Sequence, residues 1–283
     1  MTTLLQSAFP RSTQRSVGLL CWLVCHGAFL GIQSEASAEG SGDITAVSSR
    51  VSENYVRAKL PNGSFAPETY AFGKGGFWAG TQRDETIDTY HFIDVARTIA
   101  VPLARQNYLP ANDPNKTKLV IMVYWGRTAG TAESPNAIDP KSADEKLMFR
   151  DQFDRLDFQN ARLLGYDSEG VIGTDYGRGL RLTALHDKTE DLTEEIEDDR
   201  YFVVLMAYDF QLLWKHKKHE LLWETRFSIR EHRNDFRLAL PAMAKDASRY
   251  FGQDSKGLIR KRTPNTNIIL GEPKVLGYEP EKK

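Results

Sequence analysis

The sequence predicts an α/β or α+β domain: a mixed sheet with a long antiparallel hairpin over residues 201–229, and three or four helices. Three observations carry that expectation. Leu119 to Trp125 is a continuous apolar run rich in β-branched residues, the mark of a buried strand. Tyr201–Trp214 and Leu221–Ile229 form a second and third strand pattern, separated by a short polar stretch. Apolar residues recur at helical spacing before the first run and after Asn234.

At the N-terminus, residues 1–38 read as a secretory signal. Arg11 and Arg15 precede an uncharged stretch from Val17 to Ile32, and Ala36-Ser37-Ala38 supplies the small-x-small cleavage pattern before Glu39. The rival reading is a retained anchor. Gly18, Cys21, Cys25, His26 and Gly27 interrupt the stretch, which falls short of the roughly 20 apolar residues that span a bilayer. Leu20 and Val24 stand where lipid attachment at Cys21 or Cys25 wants a small residue. No membrane span is therefore expected after cleavage, and the chain is expected to be periplasmic or extracellular.

Charge narrows the partners. The chain carries 37 basic and 38 acidic residues, a formal net charge of −1. Loss of Arg11, Arg15 and Glu35 with the signal changes that balance by one unit, so a sequence-independent nucleic-acid binder is not expected. Both cysteines lie in the signal, which leaves the processed chain without a disulfide, a thiolate or a cysteine metal ligand. Asn62-Gly63-Ser64 and Asn115-Lys116-Thr117 match glycosylation acceptors, relevant only to a eukaryotic secretory route.

Along the processed chain, residues 39–53 are small and polar and read as a flexible leader, 54–252 as one α/β domain, and 253–283 as an extended tail. Asn54–Leu60 is a candidate strand, followed by a turn at Pro61-Asn62-Gly63. Glu68–Phe72 is a short strand expected to stop at Gly73, Gly75 and Gly76. Thr86–Tyr108 reads as one helix through Phe92, Val95, Ala96, Ile99 and Leu103, with Pro102 expected to kink it. Thr128–Lys141 reads as a loop. Ser142-Ala143-Asp144-Glu145 is a capping-box pattern opening a helix that carries Leu147, Phe153, Leu156 and Leu163 and ends at Gly165. Gly170–Gly179 is glycine-rich and unassigned, and Leu182–Asp199 is a candidate helix with Leu185, Leu192 and Ile196 on one side.

The hairpin pattern predicts a register in which Met206 faces Phe227, Val204 faces Ile229 and Phe210 faces Trp223. Phe210, Trp223 and Phe227 then share a buried face, with Glu224 and Arg226 on the other. Asn234 is the expected cap of a last helix with Phe236, Leu240, Met243, Ala247 and Phe251 inward, kinked at Pro241 and ended by Gly252. In the tail, Asn267–Leu270 is a candidate edge strand, and Arg260-Lys261-Arg262 a solvated basic cluster.

Few motifs carry chemistry. His219-Glu220 starts a zinc-protease pattern, but Trp223 occupies the place of the second histidine. Lys215, Lys217 and Lys218 oppose a cation near His216 and His219. The acid-rich run from Asp187 to Asp199 lacks the alternation and central glycine of a calcium loop. Gly73-Lys74-Gly75-Gly76 lacks the spacing of a phosphate loop. No metal or cofactor is expected.

Two groups remain as candidates. His91 and Asp94, among Asp84, Glu85 and Asp88, have the spacing of a base oriented by a carboxylate, a pattern shared with an ordinary acidic helix start. Tyr70, Phe72, Phe77 and Trp78 form an aromatic group suited to a core, a ligand cleft or a partner surface.

Two blocks carry a family resemblance. One joins Glu68-Thr69-Tyr70-Ala71-Phe72, the helix to Tyr108 and Leu119–Tyr124; the other joins the Tyr201 hairpin, Leu221-Leu222-Trp223-Glu224, the Asn234 helix and Tyr250-Phe251-Gly252. Together they resemble uncharacterised exported bacterial, lipoprotein-like α/β domains of unknown function. The resemblance implies a compact sheet with helices on one face, in the cell envelope. It implies no functional residues. The expected role is an exported envelope protein that binds a protein partner or serves an assembly without catalysis. The alternative is a hydrolase or small-ligand binder with its site near residues 70–94.

Overall fold

A computed structural model of the chain describes residues 43–131, 142–166 and 186–263. The signal, residues 132–141 of the expected loop, Gly170–Gly179, Leu182–Leu185 and the Asn267–Leu270 edge lie outside the described residues. Seven strands form one mixed sheet: β1 (Asp43–Val51), β2 (Glu68–Trp78), β3 (Tyr108–Pro110), β4 (Leu119–Arg127), β5 (Arg200–Asp209), β6 (Leu221–Arg230) and β7 (Leu258–Thr263). Their spatial order is β3-β2-β4-β5-β6-β1-β7. β2 runs parallel to β3 and β4, and every other pairing is antiparallel. The helices are α1 (Glu85–Asp88), α2 (Phe92–Arg105), α3 (Ala143–Leu164), α4 (His186–Glu197), α5 (Phe210–His216) and α6 (Phe236–Ala247). Four of them, α2, α3, α4 and α6, have 12 or more residues.

Two cores lie on opposite faces of the sheet. On one, Val123, Trp125, Val203, Leu205, Trp223 and Phe227 pack with Ile99 and Leu103 of α2 and with Leu240 and Met243 of α6. On the other, Phe202, Val204 and Ala46 pack with Ala161 and Leu164 of α3 and with Leu192 and Ile196 of α4. Helices therefore cover both faces, not one as the family resemblance implies. The second layer also holds a buried ionic cluster. Glu195 accepts from the Tyr166 hydroxyl and from Arg260, 2.6 Å away, and lies 3.7 Å from the Arg200 guanidinium. Each of these charges is left with partners when water is removed, the condition under which buried ions persist.

The sheet extends past both expected domain boundaries, with β1 before residue 54 and β7 after residue 252. Residues 43–51 of the expected leader form β1, whose Thr45, Ser48 and Ser49 are buried despite their polarity. Ser49 Oγ bonds the Thr225 hydroxyl at 2.7 Å, so hydroxyl pairs replace the apolar alternation that would have announced a strand. β7 takes up residues 258–263 of the expected tail by pairing with β1. In its Arg260-Lys261-Arg262 run, Lys261 and Arg262 are exposed as expected, while Arg260 is drawn in to bind Glu195 and Lys261 also binds Asp246.

Asn54–Leu60 is not a strand. Arg57 draws the chain inward, with its guanidinium 4.3 Å from the Phe65 ring centroid and 4.0 Å from that of Tyr108. The turn at Pro61-Asn62-Gly63 is present, with Gly63 at φ 83°. β2 does not stop at its glycines but runs through them to Trp78, with a register shift between Lys74 and Gly76. The single helix expected over 86–108 is two. Asp84 caps α1, the chain breaks at Thr89–His91, α2 continues through Pro102, and Tyr108 opens β3.

The hairpin is antiparallel as expected, but its register is not the expected one. Asp209 Oδ1 accepts the Leu212 N–H at 2.7 Å and turns Phe210–His216 into α5, which ends at Lys217 in the left-handed region. Phe210 is thus helical, not paired with Trp223. Ala207 faces Trp223, Val203 faces Phe227 and Met206 faces Glu224. That odd offset transfers the even residues of β5 to the second core. Tyr201–Met206 is apolar at every position, so alternation could not distinguish the two faces. Trp223 and Phe227 do share the buried face, with Glu224 and Arg226 opposite.

The remaining helices follow their signals closely. Ser142 Oγ accepts the Glu145 N–H at 3.1 Å, and α3 ends at Gly165, φ 83°. Leu147 nevertheless stays exposed, while Ala161 and Leu164 are buried. Asp235, not Asn234, caps α6, and the Asn234 amide instead bonds Asp43 and the Arg230 carbonyl. Phe236, Leu240, Met243, Ala247 and Phe251 are all buried as expected.

Candidate functional site

The ends of β4 and β6 and the start of β5 open into a polar cleft of about 880 Å³ with residues 81–86 as its other wall. Asp84 caps α1 by accepting the Thr86 N–H at 2.8 Å, and it also accepts the Tyr201 hydroxyl. Thr86 Oγ1 lies 3.2 Å from the Tyr201 hydroxyl and accepts the Phe236 N–H at 3.2 Å. Behind them, Arg127 donates to Glu231 at 2.9 Å and twice to the Ala79 carbonyl. Arg230 meets Asp198 at 2.6 Å, and the Gly130 N–H meets Asp199 at 2.8 Å.

Protonation states follow from these contacts. Partial burial opposes ionisation of Asp84, but the bonds from Tyr201 and Thr86 and the charge of Arg127 outweigh it and hold the carboxyl below its ordinary range. Burial, reinforced by the Asp84 carboxylate, pushes the Tyr201 phenol up. Burial raises Glu231 even though Arg127 pulls the other way, and burial plus Asp157, Asp198 and Glu194 raises Glu197. Tyr201 and Asp84 thus stand as a protonated donor and an ionised acceptor committed to each other. The geometry is a clasp joining α1, β5 and the start of α6.

His91 does not enter this cleft. Its side chain is exposed, and its contact with Asp94 is a helix cap: the His91 backbone N–H donates to Asp94 Oδ2 at 3.3 Å. Asp94 also lies 3.7 Å from Arg97. The acids around His91 divide, with Asp84 and Glu85 lining the cleft and Asp88 accepting the Asp84 N–H at 2.9 Å. Among the described residues, no three His, Cys, Asp or Glu side chains gather to hold a metal ion. Tyr201, Arg127 and Glu231 escaped sequence reasoning. Their one local signal is position, a polar group at the end of an apolar strand run.

The aromatic group splits across the sheet. Tyr70 is buried and meets Phe72 edge-on at 4.9 Å, on the face of the larger core. Phe77 packs 5.6 Å from Trp125 on that same face. Trp78 lies on the opposite face, 5.9 Å from Tyr124 and 6.0 Å from Phe202. Gly73 and Gly75 form its floor. A Cβ on Gly73 would strike the Met122 sulfur, and one on Gly75 would come within 2.5 Å of the Tyr124 ring. Met122 and Tyr124 therefore lie flat over β2, and with Trp78, Met206 and Tyr208 they make a half-open apolar surface. Trp78 is 45% exposed.

No family model matches the chain, and no curated protein matches it. Solved structures similar to it include a PDZ domain protein from Parabacteroides distasonis ATCC 8503, at 12% identity and a TM-score of 0.41. That match covers 79% of this chain, which spans only 40% of the other. A DUF4136 family protein from Bacteroides thetaiotaomicron VPI-5482 is similar at 10% identity and a TM-score of 0.30, covering 72% of this chain and 91% of its own.

Proposed function

We propose that this chain is an exported protein of the cell envelope that binds a protein partner or serves an assembly rather than catalysing a reaction. The observation that carries the reading is the glycine-floored face of Trp78, Tyr124 and Met122. Aromatic and methionine side chains half open to solvent are the composition of a contact surface. The Ala36-Ser37-Ala38 pattern supports export. The acids and hydroxyls named in the polar cleft bond to one another, which supports a structural use for them.

The test places a photo-crosslinking side chain at Trp78 or Tyr124, with Val56 and Leu238 as exposed controls. The expected result is one envelope protein crosslinked from both face positions and from neither control, with the mature N-terminus at Glu39 or within a few residues of it. Crosslinks of equal yield from all four positions, or a chain recovered with intact Met1 in the cytosolic fraction, would overturn the reading.

A further inference from the structure

A second cleft, of about 770 Å³, lies on the far side of the molecule's second core, between the C-terminal half of α3, the end of β1 and the start of β6. Four arginines line it, Arg50, Arg155, Arg162 and Arg226, against one acid, Glu224. In a chain with a formal net charge of −1, that is a marked local excess of positive charge.

Arg155, Phe158, Gln159 and Arg162 recur at intervals of three and four along α3, so one stripe of that helix faces the cleft. The opposite wall is set by sheet register. Arg50 pairs across the ladder with Glu224, and Arg226 follows on the same face. Glu224 is already engaged by Arg226 at 2.6 Å. Arg226 also donates to the Arg162 and Leu163 carbonyls at 2.8 and 3.0 Å, covering the negative end of α3 that would repel an anion. Asp151, one turn before Arg155, is not among the cleft-lining residues. Val51, Leu163 and Leu221 supply an apolar wall beside these charges.

The geometry points to a binding site for a phosphate group on Arg155 and Arg162, with the apolar wall receiving whatever body the phosphate carries. Guanidinium forks match phosphate oxygens in pairs and hold them as charge-assisted hydrogen bonds. Free phosphate esters and phospholipid headgroups share that chemistry. This site is separate from the Trp78 face and does not depend on it.

The experiment titrates the processed chain, Glu39 to Lys283, at low ionic strength with inorganic phosphate, and sediments it with vesicles of phosphatidylglycerol or of phosphatidylcholine. The expected result is saturable phosphate binding, weakened about ten-fold or more in the double variant Arg155→Gln/Arg162→Gln and unchanged in Arg97→Gln on α2. Co-sedimentation with phosphatidylglycerol alone, competed by phosphate, assigns the headgroup as the source; phosphate binding without vesicle binding assigns a soluble ester. Both altered arginines are exposed, so the variant should keep the parent's melting temperature, and a melt verifies it. Failure of both probes to bind, or equal binding by parent and double variant, would overturn the site.

Discussion

Trp223 lies nearly parallel to Phe251, with ring centroids 6.1 Å apart and an interplanar angle of 14°. One residue belongs to β6 and the other follows α6, so this contact fastens the last helix to the sheet. Trp223 is fully buried and also meets Tyr108 at 5.8 Å. Trp223→Ala should therefore cost about 3–5 kcal/mol, read as a lower urea midpoint with an unchanged slope. A shift of under about 1 kcal/mol would contradict the packing.

Gly126 tests the close approach of β2 to β4. A Cβ there would meet the Trp78 backbone, with the carbonyl carbon only 2.9 Å away, and a main-chain atom cannot rotate aside. Gly126→Ala should destabilise by about 1–3 kcal/mol and alter the fluorescence of Trp78. Gly63→Ala is the comparison. It has open space around it but φ 83°, so its cost, about 1 kcal/mol, is conformational alone.

Asp84 should leave a signature on acid stability. Its folded-state carboxyl titrates below the ordinary value of 3.8, so it contributes stability at neutral pH. That contribution is complete above the unfolded-state value and disappears as pH falls through the folded-state value. Asp84→Asn keeps a side-chain oxygen for the Thr86 N–H but removes the charge. The variant should be less stable than the parent at pH 7, and the gap should shrink as pH falls below the ordinary carboxylate range and through the lowered folded-state value. Parallel denaturation curves across that range would show that Asp84 carries no such linkage.

His91→Ala should change stability by no more than about 0.5 kcal/mol, because its side chain is exposed and the cap bond comes from its backbone. Asp94→Ala removes the acceptor of that bond and should cost about 1 kcal/mol, comparable to a lost cap. Thermal melts of the two variants side by side distinguish them. A larger loss for His91 would show that the imidazole itself holds the helix.

Local patterns read out the elements whose chemistry is local. Leu119–Trp125 is apolar and β-branched enough to be a strand in any context, and Ser142 with Gly165 marks both ends of α3. The inward residues of α6 follow from helical spacing against a polar outer face. Where both faces of an element are buried, that signal vanishes. Tyr201–Met206 is apolar throughout, so only docking of α3 and α4 on one side and α2 and α6 on the other decided which residues face which core. β1 and β7 were hidden for the opposite reason. Their buried positions hold Thr45, Ser49 and Thr263, which are tolerated inside because each finds a hydroxyl or carboxylate partner far along the chain. The candidate sites belong to this second class. Tyr201 and Asp84 are 117 positions apart, and the arginines of the second cleft come from α3, β1 and β6. Sequence by itself determined which segments must be buried; only the tertiary fold decided which distant charges and rings meet, because those meetings depend on strand register and helix docking that no local window contains.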